Sequence, residues 1–319
     1  MGIAILGVMI RHGIVWSETM GSIFDIVTYP FTRIAFTQGF IFLSGFGLFY
    51  SFSKNNNLKE FYRKRWYRLM VPFLIMATPF YLYNLYDNGD LIRFLLNEST
   101  LYFWLYGNNG MWYIAISVML YILFPLMYVF IFKSKENKDI VSIRALLLIF
   151  ISICSVTFVS QVFPEYYDMT SIGITQIPIF ILGILVGYYA LYSCKLTISH
   201  LVGGGIIIII MWIAKKTNDY YIPYYEMSVR LLLMPLTCIL MDKVKPRRLI
   251  GLFEWFGKYS LELYVLHMLF VGNINNLLNY YGVPANNIPF SKAILAITLA
   301  IALCSPLHYA IDKVITKLK

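Results

Sequence analysis

Few side chains in this sequence can do acid-base or anion-binding chemistry, and those that can fall into three groups. His12 follows Arg11 inside the first apolar run. At about 1.5 Å per residue it stands roughly 18 Å along a helix begun at Met1. An imidazole there can act as a general base, because its ordinary pKa lets it accept a proton near neutral pH; it can equally be a packing histidine hydrogen-bonded between helices. Arg65 and Arg68, flanked by Arg63 and Lys64, open a later apolar segment. Residues three apart share a helix face, so two guanidinium forks can close on one phosphate-like anion; the bland alternative is basic anchoring at a membrane face. Ser260, Tyr264 and His267 fall at i, i+4 and i+7, one stripe of a helix. Inside a membrane such a stripe faces a cavity or serves hydrogen bonding between helices.

The remaining ionisable residues are less informative. Glu262 lies off that stripe, within i−4 reach of Lys258, and Glu226 and Arg230 are spaced as an intrahelical ion pair. His200 and His308 sit near helix ends and take no role. No metal-ligand cluster, phosphate loop, Ser-His-Asp order or nucleic-acid module occurs, so neither a metal nor a nucleic-acid partner is expected.

These residues are embedded in a very apolar chain. Of 319 residues, 59% are hydrophobic, 18% aromatic and 13% charged, with a mean hydropathy of +0.68. Ordinary globular domains carry about 25% charged residues, so a soluble domain, a disordered chain and a disulfide scaffold are excluded. The expected fold is an all-α, polytopic transmembrane bundle forming a single integral domain over residues 1–319. Spanning helices need roughly 20 apolar residues, and lipid admits only backbones that are paired internally. About ten helices result: Met1 to Trp16, Ala35 to Phe52, Trp66 to Tyr86, Met111 to Phe132, Val141 to Val162, Ile172 to Tyr192, Leu201 to Ala214, Tyr224 to Met241, Ser260 to Leu278 and Ala293 to Ile311.

The loops between them alternate in basic content. Lys54 to Arg68, Lys133 to Lys138, Lys195, Lys243 to Lys258 and the tail from Lys313 onward hold eighteen Lys and Arg residues, against five on the other side: Arg33, Arg93, Lys215, Lys216 and Lys292. The positive-inside rule then places both termini in the cytoplasm. Cys154, Cys194, Cys238 and Cys304 show no redox or ligand spacing and read as packing residues. The first run lacks the basic start and small-residue site of a cleavable signal, and its shortness for a span points to sequence upstream of Met1.

Several local patterns occur in an order that resembles the integral membrane acyltransferase-3 family. Gly2 to His12 is similar to that family's first helix, with His12 at the family histidine. Gly39-Phe-Ile-Phe-Leu-Ser44-Gly45-Phe46 resembles its "FF-x-LSGF" helix, and Phe61 to Pro72 its R-x-x-R element, with Arg65 and Arg68 at the arginines. Gly110-Met-Trp112-Tyr-Ile, followed by Tyr121 and Pro125, is similar to "WFL…Y…P". Ile177 to Gly187 resembles "FLLG-x-x-xG", and Gly257, Ser260, Tyr264 and His267 match the closing "G-x-x-S-x-x-x-Y-x-x-H". Two positions depart. Met1 stands where the family usually has a basic residue eleven before the histidine. Ser117 and Val118 stand where branches fused to an extracytoplasmic esterase-like domain often carry a glutamate, which favours the stand-alone branch.

The resemblance implies an O-acyltransferase that moves an acyl group, usually acetyl, from cytoplasmic acyl-CoA to a sugar hydroxyl of a cell-surface or lipid-linked glycan. It implies His12 as base and Arg65 and Arg68 as donor anchor, with Ser44, Trp112, Tyr121, Ser260, Tyr264 and His267 as cavity or acceptor candidates. Acyl-CoA would be a co-substrate and no bound cofactor is expected. The setting would be a plasma or inner membrane; the Ile, Asn, Lys and Tyr bias fits an AT-rich bacterial genome. The rival from another class is a flippase for a lipid-linked sugar, since midplane polar groups also suit transport. A scaffold lacking activity is a third expectation, kept open by Met1.

Overall fold

The computed structural model describes residues 1–15, 37–107, 110–133, 138–192, 198–222, 224–229, 247–280 and 289–318. Among them the regular structure is helical, with no strand: α1 (Gly2–Val15), α2 (Thr37–Lys54), α3 (Leu58–Asn88), α4 (Leu91–Glu98), α5 (Tyr102–Tyr106), α6 (Trp112–Phe132), α7 (Lys138–Val162), α8 (Pro164–Ile174), α9 (Ile177–Leu191), α10 (Ile198–Thr217), α11 (Arg247–Lys258), α12 (Ser260–Tyr280) and α13 (Pro289–Leu318). Leu58–Asn88, Trp112–Phe132, Lys138–Val162, Pro164–Leu191 and Ile294–Leu318 are long and apolar enough to cross a membrane, and Ser260–Ile274 is a shorter apolar stretch. The protein is a polytopic helical membrane protein.

Where helix boundaries differ from the sequence expectation, local chemistry explains them. The helix expected over Ile172 to Tyr192 is divided into α8 and α9, because Pro178 cannot donate to the carbonyl of Ile174 and its ring would clash there; Pro178 instead occupies the first turn of α9. The third helix begins at Leu58 rather than Trp66. Its polar, basic first segment, Leu58–Arg65, joins the apolar Val71–Asn88 through a π turn at Trp66–Met70. That wider turn takes Arg68 off the simple i, i+3 stripe shared with Arg65. Of the expected helix Tyr224 to Met241, residues 224–229 are helical and the rest, Arg230 included, lies outside the described residues. The short α4 and α5 and the charged α11 were not anticipated, being below span length or too polar to span.

The described residues fall into two compact units, one of Met1–Thr37, Lys59–Ala115 and Gly251–Lys319, the other of Gln38–Leu58 and Ile116–Ile250. In the first, α12 packs against α1, α3 and α13, while α4 packs on α3. Ile5 and Met9 of α1, Phe73 and Ala77 of α3 and Leu263 and Leu266 of α12 are buried there. On α13 the small residues Ala296, Ala300 and Cys304 form a fully buried i, i+4, i+8 row, the kind of face that lets membrane helices approach closely.

In the second unit, α2 and α9 cross at glycines. A Cβ on Gly45 would stand 2.2 Å from the Phe180 carbonyl oxygen, and one on Gly183 would stand 2.2 Å from that of Phe42. No side chain fits at either position, so the two backbones touch directly. Phe49, Phe52, Tyr128 and Phe132 surround this crossing with ring centroids 4.8 to 5.0 Å apart in the pairs Tyr128–Phe132, Phe52–Tyr128 and Phe49–Phe132. α7 packs on α8 and α9 and leaves Ile143, Leu146 and Phe150 exposed, a lipid-facing stripe. Cys304 is buried as a packing residue, but Cys154 is exposed on α7, a correction explained by lipid filling the place of protein. Cys194 and Cys238 lie outside the described residues.

Candidate active site

The last turn of α1 brings His12 against the middle of α12. His12 Nδ1 lies 2.9 Å from His267 Nε2, and the rings are stacked with centroids 5.2 Å apart. His267 is fully buried, and its Nδ1 lies 2.7 Å from the Leu263 carbonyl oxygen one turn earlier. A carbonyl only accepts, so His267 carries its proton on Nδ1. The Nε2 of a neutral His267 is then an acceptor, His12 donates to it from Nδ1, and the lone pair of His12 resides on Nε2. The arrangement orients a base by the logic of a carboxylate behind a catalytic histidine, with a second imidazole in the carboxylate's place.

Tyr264 completes the same wall. Its hydroxyl donates to the Gly110 carbonyl at 2.8 Å, and its ring meets Tyr113 edge to face at 5.2 Å and His267 at 5.8 Å. Gly110 needs its φ of +83° to present that carbonyl, and a Cβ there would stand 2.7 Å from the Met268 methyl. Glycine is the residue that tolerates both demands. The loop before α6 is thereby tied to α12 beside the histidine pair.

The other sequence candidates are distributed differently. Trp112 is buried at the start of α6, in contact with Tyr113. Ser260 opens α12 seven residues before His267, about 10 Å away along the helix, so Tyr264 and His267 reach the site and Ser260 does not. Ser44 and Tyr121 belong to the second unit. Arg65 is half-buried on α3, its guanidinium over the Phe61 ring at 5.4 Å from the centroid, with a buried Nε. Arg68 is exposed within the π turn.

One polar pair escaped the sequence reading. Glu262 is buried and meets His308 of α13, Oε1 to Nδ1, at 2.6 Å; the far nitrogen of His308 faces Asp312 at 3.4 Å. Lys258, expected to meet Glu262, stands over the Tyr259 ring instead. The available signal was an acidic residue in α12 and a histidine in α13, each in an apolar segment, although nothing in the spacing said that the two helices pair. On α4, outside the spans, burial holds the Glu98 carboxyl above its ordinary range, opposed by a hydrogen bond from Thr78.

An integral helical membrane protein with a histidine pair, one ring fully buried and the other half-buried, suited to proton transfer is the class that fold and site define. The family model described as an acyltransferase domain matches residues 2–309, and the chain belongs to the acyltransferase-3 family. It is a membrane acyltransferase. No curated protein and no solved structure matches it significantly.

Proposed function

We propose that this protein is an O-acetyltransferase of the plasma or inner membrane of a bacterial cell, taking the acyl group from acetyl-CoA on the cytoplasmic side and placing it on a hydroxyl of a surface or lipid-linked glycan. The observation that carries the reading is the hydrogen-bond order Leu263 carbonyl, His267, His12, which leaves a basic nitrogen on His12. His12 Nε2 takes the proton of the acceptor hydroxyl as the hydroxyl oxygen attacks the thioester carbonyl. The tetrahedral intermediate then expels the CoA thiolate, to which His12 returns the proton, giving a sugar ester and free CoA. Arg65 and Arg68, on the basic face, anchor the phosphates of the donor.

The test is mass spectrometry of the surface glycan from cells lacking the gene, complemented with wild type and complemented with His12→Ala. An acetyl-sized mass lost on deletion and restored only by wild type supports the reading. A glycan whose mass never changes, while its export does, replaces it with a flippase.

A further inference from the structure

Beside the histidine pair, and built within the same unit, is a cavity of about 300 Å³ bounded by the end of α3, by α4 and α5, and by the part of α12 that follows His267. Its wall begins at Met268, the next residue after His267, and reaches Asn273, about 7.5 Å further along the helix. Met111, adjoining the Gly110 carbonyl that holds Tyr264, lines it too. Arg93, which lines the wall, belongs to the loop side that is poor in basic residues, the side opposite the termini.

The lining carries four carboxamides, Asn84, Asn88, Asn97 and Asn273. Asn97 donates its amide N–H to the Arg93 carbonyl at 2.9 Å, and Asn273 donates to the Leu269 carbonyl at 2.8 Å. Both side-chain oxygens are thereby defined as acceptors. Asn84 and Asn88 line the same wall and make no hydrogen bond among the described residues. Each offers one acceptor oxygen and two N–H donors, the complement of a hydroxyl, which both donates and accepts.

Charge in the wall is balanced: Asp90 and Arg93 are its charged residues. The Asp90 carboxylate accepts from the Arg93 backbone N–H at 2.8 Å, and the Arg93 guanidinium lies over the Tyr102 ring at 5.6 Å from the centroid. An anionic ligand would gain one cation and meet one carboxylate. A neutral polyol meets donors and acceptors at the asparagines and apolar side chains such as Phe94 and Met111 between them, with no charge left opposed.

We propose that this cavity is the acceptor subsite and takes an uncharged, hydroxyl-rich sugar unit rather than an acidic one, positioning one hydroxyl toward His12. The inference rests on the acyltransferase reading above and adds the place and the charge class of the acceptor. The test uses membranes carrying the full chain, labelled acetyl-CoA and the cells' own glycans; after labelling, the sugar units are released enzymatically, freed of carrier phosphate and separated by anion exchange into neutral and acidic pools. Label is expected in the neutral pool. The double variant Asn84→Ala/Asn88→Ala, which removes no hydrogen bond within the described protein, raises the neutral-glycan concentration for half-maximal labelling about tenfold, as loss of one to two hydrogen bonds to a ligand would. Half-saturation by acetyl-CoA stays unchanged and serves as the check that the variant is folded. Label confined to the acidic pool, or an unchanged glycan dependence in the double variant, overturns the subsite and leaves the acyltransferase standing. Absence of label in both pools with wild type removes both.

Discussion

The site turns on which imidazole nitrogen carries a proton, and one backbone carbonyl decides it. Leu263 fixes His267, and His267 fixes His12, so in the proposed reaction His267 is a positioning residue whose loss acts through its neighbour. Replacing His267 with Ala removes the acceptor behind His12 and is expected to lower kcat about 100-fold, the lower range for losing acid-base catalysis, with KM for the donor unchanged. His267→Gln places an amide oxygen near the former Nε2 and is expected to recover at least tenfold of that loss. Equal activity for the Ala and Gln variants would mean that His267 only fills space. The sequence showed both histidines, and the family pattern marked both, yet their contact spans 255 residues. No local spacing encodes a pair made only when α1 meets α12. Glu262 and His308 were illegible for the same reason: the intrahelical partner Lys258 was visible in the sequence and the interhelical partner was not.

At the scale of elements, the helices themselves were legible because each apolar run is long and the period of lipid-compatible segments is coarse. Divisions within runs were harder to read. The break between α8 and α9 follows from Pro178 once the i−4 carbonyl of Ile174 is considered, whereas the π turn in α3 has no composition of its own. The crossing of α2 and α9 makes a clear stability prediction. Gly183→Ala puts a methyl 2.2 Å from the Phe42 carbonyl and is expected to cost about 1–3 kcal/mol or more, since backbone cannot move aside as a flexible side chain can. Gly47→Ala, on the same α2, meets nothing within 4 Å and serves as the control. Thermal unfolding of the two variants in detergent measures the difference; equal Tm values would mean that the helices separate at the crossing without penalty.

For the whole molecule, orientation follows from the basic residues. The C-terminal end of α13 and the loop between α3 and α4 are expected on opposite sides of the membrane. Cysteines placed singly at Tyr86, which is 90% exposed, and at Lys317, in a chain whose four native cysteines are replaced by serine, test this with an impermeant maleimide. Tyr86→Cys is expected to react in intact cells, and Lys317→Cys only after permeabilisation; the reverse pattern would put acetyl-CoA and glycan on the wrong sides for the proposed reaction. The helix joining those sides is α3, with Arg65 and Arg68 at one end and Tyr81, Asn84 and Asn88 at the other. The π turn at Trp66–Met70, which contains Arg68, separates Arg65 from those asparagines and acts as a phase shifter. Each residue of an α-helix advances the chain by about 100°, so deleting one residue of that turn after Arg68 would leave Arg65 and Arg68 in place and swing the asparagines away from the cavity. Conversely, relatives that lack the turn would align with this chain at both ends of α3 only across a one-residue gap, and that gap would mark where the arginine end and the asparagine end of one helix can be set independently.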